Sequence, residues 1–151
     1  MTRVPDRGPQ RLPSRVDAER LVLRRWAEGD APTVHALVSA NVDHLRPFMD
    51  WIAFEPLTVE DRQNLIAGWQ EGWEAGGDAV FGAFAADQAI GACGLHRRSG
   101  DDTLEIGYWV AADRQGQGYA TEIARALTAA AFTVPGIARA ELRIDDANVA
   151  S

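Results

Sequence analysis

The residues best suited to chemistry in this sequence are two glycines, Gly116 and Gly118, between a hydrophobic run and an alanine-rich run. Their junction reads Gln-Gly-Gln-Gly-Tyr-Ala. Glycine costs stability inside regular structure, so a pair here indicates a tight turn, a phosphate cradle, or both. A strand, a glycine turn and a helix in succession would place backbone N–H groups at a helix N-terminus, where an anion is favoured.

Two well-known nucleotide motifs fit this junction poorly. A dinucleotide-binding fingerprint needs a third glycine where this chain has Thr121, and a nucleotide P-loop needs a Gly-Lys-Ser/Thr sequence that this chain lacks. Only about 30 residues follow the motif, which is too few for a doubly wound sheet. A plain loop that caps a helix therefore stays open as an alternative to a phosphate cradle.

Apolar periodicity predicts the elements that would position this loop. Alternating apolar residues predict strands at 19–26, 79–87, 88–98, 103–111 and 138–145. Helical spacing predicts helices within 28–45, within 58–77 and over about 119–132. Asp30 and Pro32 mark the start of the first helix, and a capping box of Thr58 and Asp61 marks the start of the second. This order of elements predicts a mixed α+β fold rather than a repeating βαβ fold.

Cysteine and histidine usage argues against a metal or disulfide framework. The single cysteine, Cys93, excludes an internal disulfide and a cysteine-cluster zinc site, and it reads as a small buried hydrophobic residue. His35, His44 and His96 show no metal-ligand spacing, so we predict no metal and favour structural or surface roles for all three.

The net charge and the hydropathy of the chain limit the kinds of partner that we expect it to bind. The net charge of −7 disfavours nucleic acid and is compatible with a cationic substrate. No apolar run approaches the roughly 18 residues that a membrane span needs, and the N-terminus lacks the apolar segment of a secretory signal. We therefore expect no membrane partner and a cytoplasmic location. Residues 1–15 are rich in Pro, Arg and Gly and are predicted to form a disordered tail.

The wider pattern Gln115-x-x-Gly118-x-Ala120, after Tyr-Trp-Val, resembles the pyrophosphate loop of the GNAT superfamily of acetyl-CoA-dependent N-acetyltransferases. The segments ERLVLRRW, PFMDW, IGACGL, EIGYWV and ELRIDDANVAS follow the order found in the ribosomal-protein branch of that superfamily. The resemblance covers about residues 17–151. It implies a three-layer α/β/α domain at 16–151 around a central, mostly antiparallel sheet. It also implies direct transfer of an acetyl group from acetyl-CoA to a primary amine, either a protein N-terminus or a small molecule.

The resemblance assigns most of the candidate site to the acetyl-CoA co-substrate. It implies that the pyrophosphate lies on the amides of the glycine loop and that the pantetheine arm pairs with the preceding strand. The Val110 amide would polarise the acetyl carbonyl. The implied contacts with acetyl-CoA are Trp109, Val110, Ala111, Gln115, Gly116, Gln117, Gly118, Tyr119, Ala120, Thr121 and Asn148.

Catalytic roles follow from the same resemblance. Glu105, on the strand face opposite Leu104 and Ile106, is the candidate general base, and a solvated glutamate paired with an arginine is the alternative. Ser151 would protonate the departing thiolate. Gly107 would mark the bulge that splays two strands to admit the co-substrate, or it would pack against an aromatic ring.

The acceptor side is implied by the loop between the first two helices. Phe48 and Trp51 would line the acceptor pocket, with core packing as the alternative. Asp50 and Glu55 would attract a cationic amine or remain solvated loop charges. The acceptor and the oligomeric state stay open, and a homodimer is one option.

Members of this superfamily continue past the segment NVAS with a helix and two strands. The sequence therefore predicts a fold whose C-terminal part is missing, and we expect weak or absent activity from these 151 residues alone. The alternative function is a non-catalytic acyl-CoA-binding or interaction module.

Overall fold

The computed structural model describes residues 11–47, 49–97 and 100–142. The described elements are β1 (Arg15–Asp17), β2 (Val22–Arg25), α1 (Ala31–Leu45), α2 (Val59–Glu74), β3 (Ala79–Ala85), β4 (Gln88–His96), β5 (Thr103–Val110), α3 (Tyr119–Phe132) and β6 (Arg139–Leu142). All the strands form one sheet in the order β1-β2-β3-β4-β5-β6. Neighbouring strands are antiparallel except for β5 and β6, which are parallel. The predicted mixed α+β class is therefore confirmed.

Helices cover both faces of the sheet, as the predicted three-layer architecture requires. On one face, Ile123 and Leu127 of α3 pack against Leu104 and Ile106 of β5. The opposite face is covered by α1 and α2, whose buried apolar residues form a second cluster with Trp26 and neighbouring strand residues. Because side chains alternate along a strand, each residue of β5 belongs to one of these two faces.

Local helix signals predict the helix starts with one exception. Thr58 and Asp61 form the predicted capping box, with the Asp61 amide donating to Thr58 Oγ1 at 3.0 Å. Asp30 precedes α1 as predicted, but its carboxylate makes no cap to that helix. It accepts hydrogen bonds from Arg24 Nη1 at 2.7 Å and from the Ala27 amide at 2.7 Å.

Residues 11–15 belong to the folded domain, so the prediction that the disordered tail extends to residue 15 is wrong for them. Leu12 is only 1% exposed, and its carbonyl accepts a hydrogen bond from Trp73 Nε1 at 2.7 Å. The short strand β1, which the sequence did not predict, begins at Arg15. One buried leucine in a segment rich in proline and arginine carries no periodicity, so only packing against the sheet reveals it. Residues 1–10 lie outside the described residues.

Strand β5 pairs with β4 along one edge and with β6 along the other. Its pairing with β4 runs from Glu105 to Val110 without a register shift, so the predicted bulge at Gly107 is absent from this ladder. Its described pairing with β6 runs from Thr103 to Ile106, the partner of Leu142, which is the last described residue of the chain.

Candidate active site

The glycine loop lies between β5 and α3, where the sequence places it. Gly116 has a φ of 74° and Gly118 has a φ of 81°, so both adopt the left-handed conformation that favours glycine. The first hydrogen bond of α3 runs from the Glu122 amide to the Gly118 carbonyl at 3.1 Å. Within the described ranges, no residue accepts a hydrogen bond from the amides of residues 116–121. Six consecutive donors at the N-terminus of a helix can therefore bind an anion.

Two amide side chains hold the loop against the end of β5. Gln115 Nε2 donates to the Val110 carbonyl at 2.9 Å. Asn41 of α1 is buried, and its Oδ1 accepts from the Ala112 amide at 2.8 Å. Sequence reasoning missed Asn41, although its spacing from Val38 and Leu45 places it on the buried stripe of α1. A polar residue on such a stripe usually has a specific hydrogen-bond partner.

Arg20 holds the loop from the turn between β1 and β2. Its Nε donates to Glu122 Oε1 at 2.7 Å, and its backbone amide donates to Glu122 Oε2 at 2.8 Å. Its Nη1 donates to the Gln117 carbonyl at 3.0 Å, and its guanidinium lies 4.5 Å from the centroid of the Tyr119 ring. Sequence reasoning missed this residue, because no local pattern links it to a loop about one hundred residues away.

The hydrogen bonds between β4 and β5 determine which backbone groups of β5 point away from β4. The Ala111 amide donates to the Ile90 carbonyl at 2.8 Å, so these residues form a hydrogen-bonded pair. Hydrogen-bonded pairs recur every second residue in an antiparallel ladder. The backbone groups of Tyr108 and Val110 therefore point away from β4, toward the edge of β5 along which β6 pairs with Thr103–Ile106. The Val110 carbonyl accepts a hydrogen bond from Gln115, and the Val110 amide points away from β4.

The face of β5 under α1 and α2 lies beside a residue that the sequence predicts for the acceptor pocket. Trp109 packs with the cluster on this face, and strand alternation places Glu105 and Gly107 on the same side. Trp51, from a short 3₁₀ helix at Asp50–Phe54, has its ring centroid 6.3 Å from that of Trp109. The structure thus brings the predicted acceptor residue Trp51 next to a residue predicted to contact acetyl-CoA. Trp51 remains 38% exposed, so its ring is accessible.

The structure contradicts both roles that the sequence left open for Glu55. It is neither a solvated charge nor an anion presented to an amine, because Arg62 binds it through hydrogen bonds of 2.9 and 2.8 Å. The two side chains are only 6% and 3% exposed. Arg62 Nε also donates to His35 Nδ1 at 3.1 Å. This buried group fixes the end of the 3₁₀ helix that carries Trp51.

The remaining predicted residues divide into buried and undescribed ones. Cys93 is buried, which confirms its interpretation as a small hydrophobic residue, and desolvation raises the pKa of its thiol. Phe48, Asn148 and Ser151 lie outside the described residues, as does the side chain of Asp50. Among the residues that the structure covers, no three His, Cys, Asp or Glu side chains come together as metal ligands. None of the described helices is both long and apolar enough to cross a membrane.

The order of strand, glycine loop and helix agrees with comparison to known families. The sequence profile of the acetyltransferase (GNAT) domain matches residues 20–151. The chain belongs to this family. A curated relative, the ribosomal-protein-serine acetyltransferase of Escherichia coli K12, is 29% identical over 111 residues. That alignment covers 73% of this chain and 62% of the relative, so this GNAT chain spans about three fifths of the relative's length.

Solved GNAT structures reproduce the fold. RimL, a ribosomal α-N-protein acetyltransferase in complex with coenzyme A, aligns with a TM-score of 0.79 at 23% identity, covering 88% of this chain and 77% of its own. The microcin self-immunity acetyltransferase MccE, in complex with acetyl-CoA and AMP, aligns with a TM-score of 0.76 at 20% identity, covering 86% of this chain and 73% of its own. At this level of identity the comparison establishes the shared fold.

Proposed function

We propose that this GNAT chain transfers an acetyl group from acetyl-CoA to a primary amine. The observation that carries the proposal is the continuity of two features. The amides of residues 116–121, which have no hydrogen-bond acceptor among the described residues, lie directly after β5, and the Tyr108 and Val110 backbone groups of that strand point away from β4. A long ligand with a pyrophosphate at one end and a hydrogen-bonding arm at the other matches both features at once.

On the co-substrate side, the glycine loop would hold the pyrophosphate and Arg20 would keep the loop in its binding conformation. The pantetheine arm would form hydrogen bonds with the backbone groups of Tyr108 and Val110 that point away from β4. The Val110 amide would then donate to the thioester carbonyl and stabilise the oxyanion as it forms. RimL was solved with coenzyme A and MccE with acetyl-CoA, which supports this assignment.

On the acceptor side, we propose that the amine approaches over the face formed by Glu105, Trp109 and Trp51. The Glu105 carboxylate supplies the negative charge that attracts the ammonium form of the acceptor. The sequence also predicts Glu105 as the general base. The E. coli relative is named for a ribosomal-protein serine, so a protein N-terminus is the first acceptor class to test. Contacts from Phe48 and Asn148 remain predictions from the sequence.

The reaction conserves atoms without a further reagent. The amine nitrogen attacks the thioester carbon and forms the C–N bond, and the C–S bond then breaks. The amine loses one proton, and the coenzyme A thiolate gains one. The products are an N-acetylated acceptor and coenzyme A, with Ser151 predicted from the sequence to protonate the thiolate.

Calorimetry with acetyl-CoA, combined with a thiol-release assay, tests this function. The amine panel should contain peptides with a free N-terminal serine or alanine, free lysine, and an N-acetylated peptide as the negative control. Saturable binding with thiol release that depends on the free amine supports the proposal. Binding without release from any amine would identify a non-catalytic acyl-CoA-binding module instead.

A charge introduced into the loop provides a matched variant test. Gly118→Asp places a carboxylate among the amides that would hold the pyrophosphate, and we expect it to abolish acetyl-CoA binding. Gly29→Asp adds the same charge in open space, in the 3₁₀ turn Glu28–Asp30 before α1, and should bind like wild type. Equal affinity in both variants would refute the assignment of the loop.

A further inference from the structure

Hydrogen bonds fix the orientation of the His96 side chain on the face of the sheet under α1 and α2. His96 is the last residue of β4, and its Nδ1 lies 2.9 Å from Asp78 Oδ2. The second oxygen of the same carboxylate accepts a hydrogen bond from the Arg97 amide at 2.8 Å. Asp78 is therefore held at both oxygens, and it fixes the rotation of the imidazole ring.

Two glycines determine where the other ring nitrogen lies. Gly94 and Gly107 are register partners on β4 and β5, on the same face as His96. A Cβ atom on Gly94 would lie 2.8 Å from His96 Nε2, and a Cβ atom on Gly107 would lie 3.8 Å from it. The ring therefore lies over the backbone of these two glycines, with Nε2 directed toward β5. Of the two roles open for Gly107 from the sequence, the structure shows ring packing, and the ring is an imidazole.

This location places Nε2 on the face of β5 over which the acceptor is proposed to approach. Gly107 precedes Val110, whose amide would hold the thioester carbonyl, by three residues or about 10 Å along the strand, so bridging water must connect Nε2 to the attacking amine. His96 is also the register partner of Glu105, and hydrogen-bonded pairs of this kind have Cα atoms about 5.5 Å apart. The His96 side chain retains 17% exposure, so solvent or an acceptor can contact it.

We infer that His96 accepts the proton of the attacking amine and that Asp78 is its positioning residue. The inference rests on the proposed acetyl transfer. With Nδ1–H donating to Asp78, the lone pair of Nε2 can accept a hydrogen bond from water. As the C–N bond forms, the amine proton moves to Nε2 through bridging water, and the Asp78 carboxylate stabilises the imidazolium. The C–S bond breaks, the thiolate leaves, and the imidazolium returns its proton to the thiolate or to water.

General acid–base chemistry favours an imidazole over a carboxylate for this step. A base works best when its pKa lies near the operating pH. Imidazole is the side chain whose ordinary titration range lies closest to neutral pH. Among the described residues, the ionisable groups around the ring are Asp78 before β3, Glu105 on β5 and the adjacent Arg97. In this arrangement Glu105 attracts the ammonium form and His96 removes its proton.

The tautomer of His96 tests the positioning without any turnover. Long-range ¹H–¹⁵N correlation spectra of the full chain should show His96 protonated at Nδ1 and unprotonated at Nε2 at neutral pH. The His96→Gln variant assigns the signal among the three histidines. Asp78→Asn should shift the population away from this tautomer, while Asp101→Asn, at an exposed site between β4 and β5, should not. A wild-type ring protonated at Nε2 would overturn the inference.

The pH dependence of kcat/KM tests the catalytic role. We expect an acid limb in wild type that stays at the same pH for two peptide acceptors whose amines titrate differently. His96→Gln should lose that limb and fall by about 10²–10⁴-fold at neutral pH, with acetyl-CoA affinity unchanged. Asp78→Asn should fall by a smaller factor. Glu105→Gln should raise KM for the amine and keep the limb.

The outcomes separate this inference from the function on which it rests. If wild type acetylates no amine, both proposals fall. If wild type is active and His96→Gln keeps its rate and its acid limb, only the assignment of the base falls. Loss of the limb in Glu105→Gln but not in His96→Gln would assign the proton to the carboxylate.

Discussion

Breaking the buried Glu55–Arg62 ion pair should destabilise this protein more than breaking any exposed pair. Removing one partner of a buried ion pair costs about 3–5 kcal/mol, because an uncompensated charge remains in a dry environment. Both side chains are at most 6% exposed, and both carboxylate oxygens accept from the guanidinium. We therefore expect Glu55→Leu to lower the free energy of unfolding by about 3–5 kcal/mol, out of a typical total of about 5–15 kcal/mol.

The three variants of this pair should not be equivalent. Glu55→Leu leaves a guanidinium that cannot lose its charge. Arg62→Leu leaves a buried carboxylate without its guanidinium partner. The double variant with leucine at both positions removes both charges and should be more stable than Glu55→Leu alone.

Urea denaturation followed by circular dichroism measures these differences, and thermal unfolding should shift by roughly 6–20 °C for Glu55→Leu. Asp43→Asn is the matched control, because it breaks the Asp43–Arg46 pair, which spans 3.9 Å with side chains 103% and 64% exposed. That control should cost less than about 0.5 kcal/mol. A loss below about 1 kcal/mol for Glu55→Leu would refute the reasoning, since the pair would then be hydrated.

Substitutions at three further sites test the glycine loop, its Arg20 anchor and the Arg24–Asp30 ion pair. Gly116→Ala places a Cβ at a φ of 74° and should cost about 1–2 kcal/mol, whereas Gly116→Asn should cost less because asparagine tolerates this conformation; equal melting temperatures would contradict the loop geometry. Arg20→Ala should weaken acetyl-CoA binding in calorimetry several-fold, and the exposed Arg15→Ala should not; indistinguishable affinities would rule out the anchoring role. The Arg24 hydrogen bond lowers the pKa of Asp30 in the folded state, so this carboxylate stabilises the fold above its unfolded pKa, and the stabilisation is lost as the pH falls below about 4. The stability difference between wild type and Asp30→Asn should therefore vanish in acid, and a constant difference down to about pH 3 would be inconsistent with this linkage.

Elements with local signals were predictable to within a few residues. The strand alternation at 103–111, the capping box at Thr58 and the left-handed glycines before α3 all depend on neighbours within one or two turns of chain. Local steric preferences and hydrogen bonds determine these features, so the sequence expresses them directly. The strand β1 and the buried Leu12 were missed, because an irregular segment becomes ordered only by packing on a completed sheet.

The candidate site was predictable in part for the same reason. The glycine loop and the strand before it are contiguous, and the family resemblance covers both. Asn41 reaches Ala112 across 71 positions, and Arg20 reaches Glu122 across 102 positions. No periodicity or spacing connects such pairs, and each is chosen by the way separate elements pack together.

The sequence by itself determined the fold class, the family and the position of the glycine loop, because these depend on short-range patterns. Only the tertiary structure decided which polar groups face one another across the sheet. Glu55, a loop charge in the sequence, is buried against Arg62 because α2 covers it. His96, an unremarkable strand end in the sequence, meets Asp78 because β3 and β4 pair along their whole length. Partners of buried and oriented charges depend on burial and distance, and both arise only when the elements pack into one core.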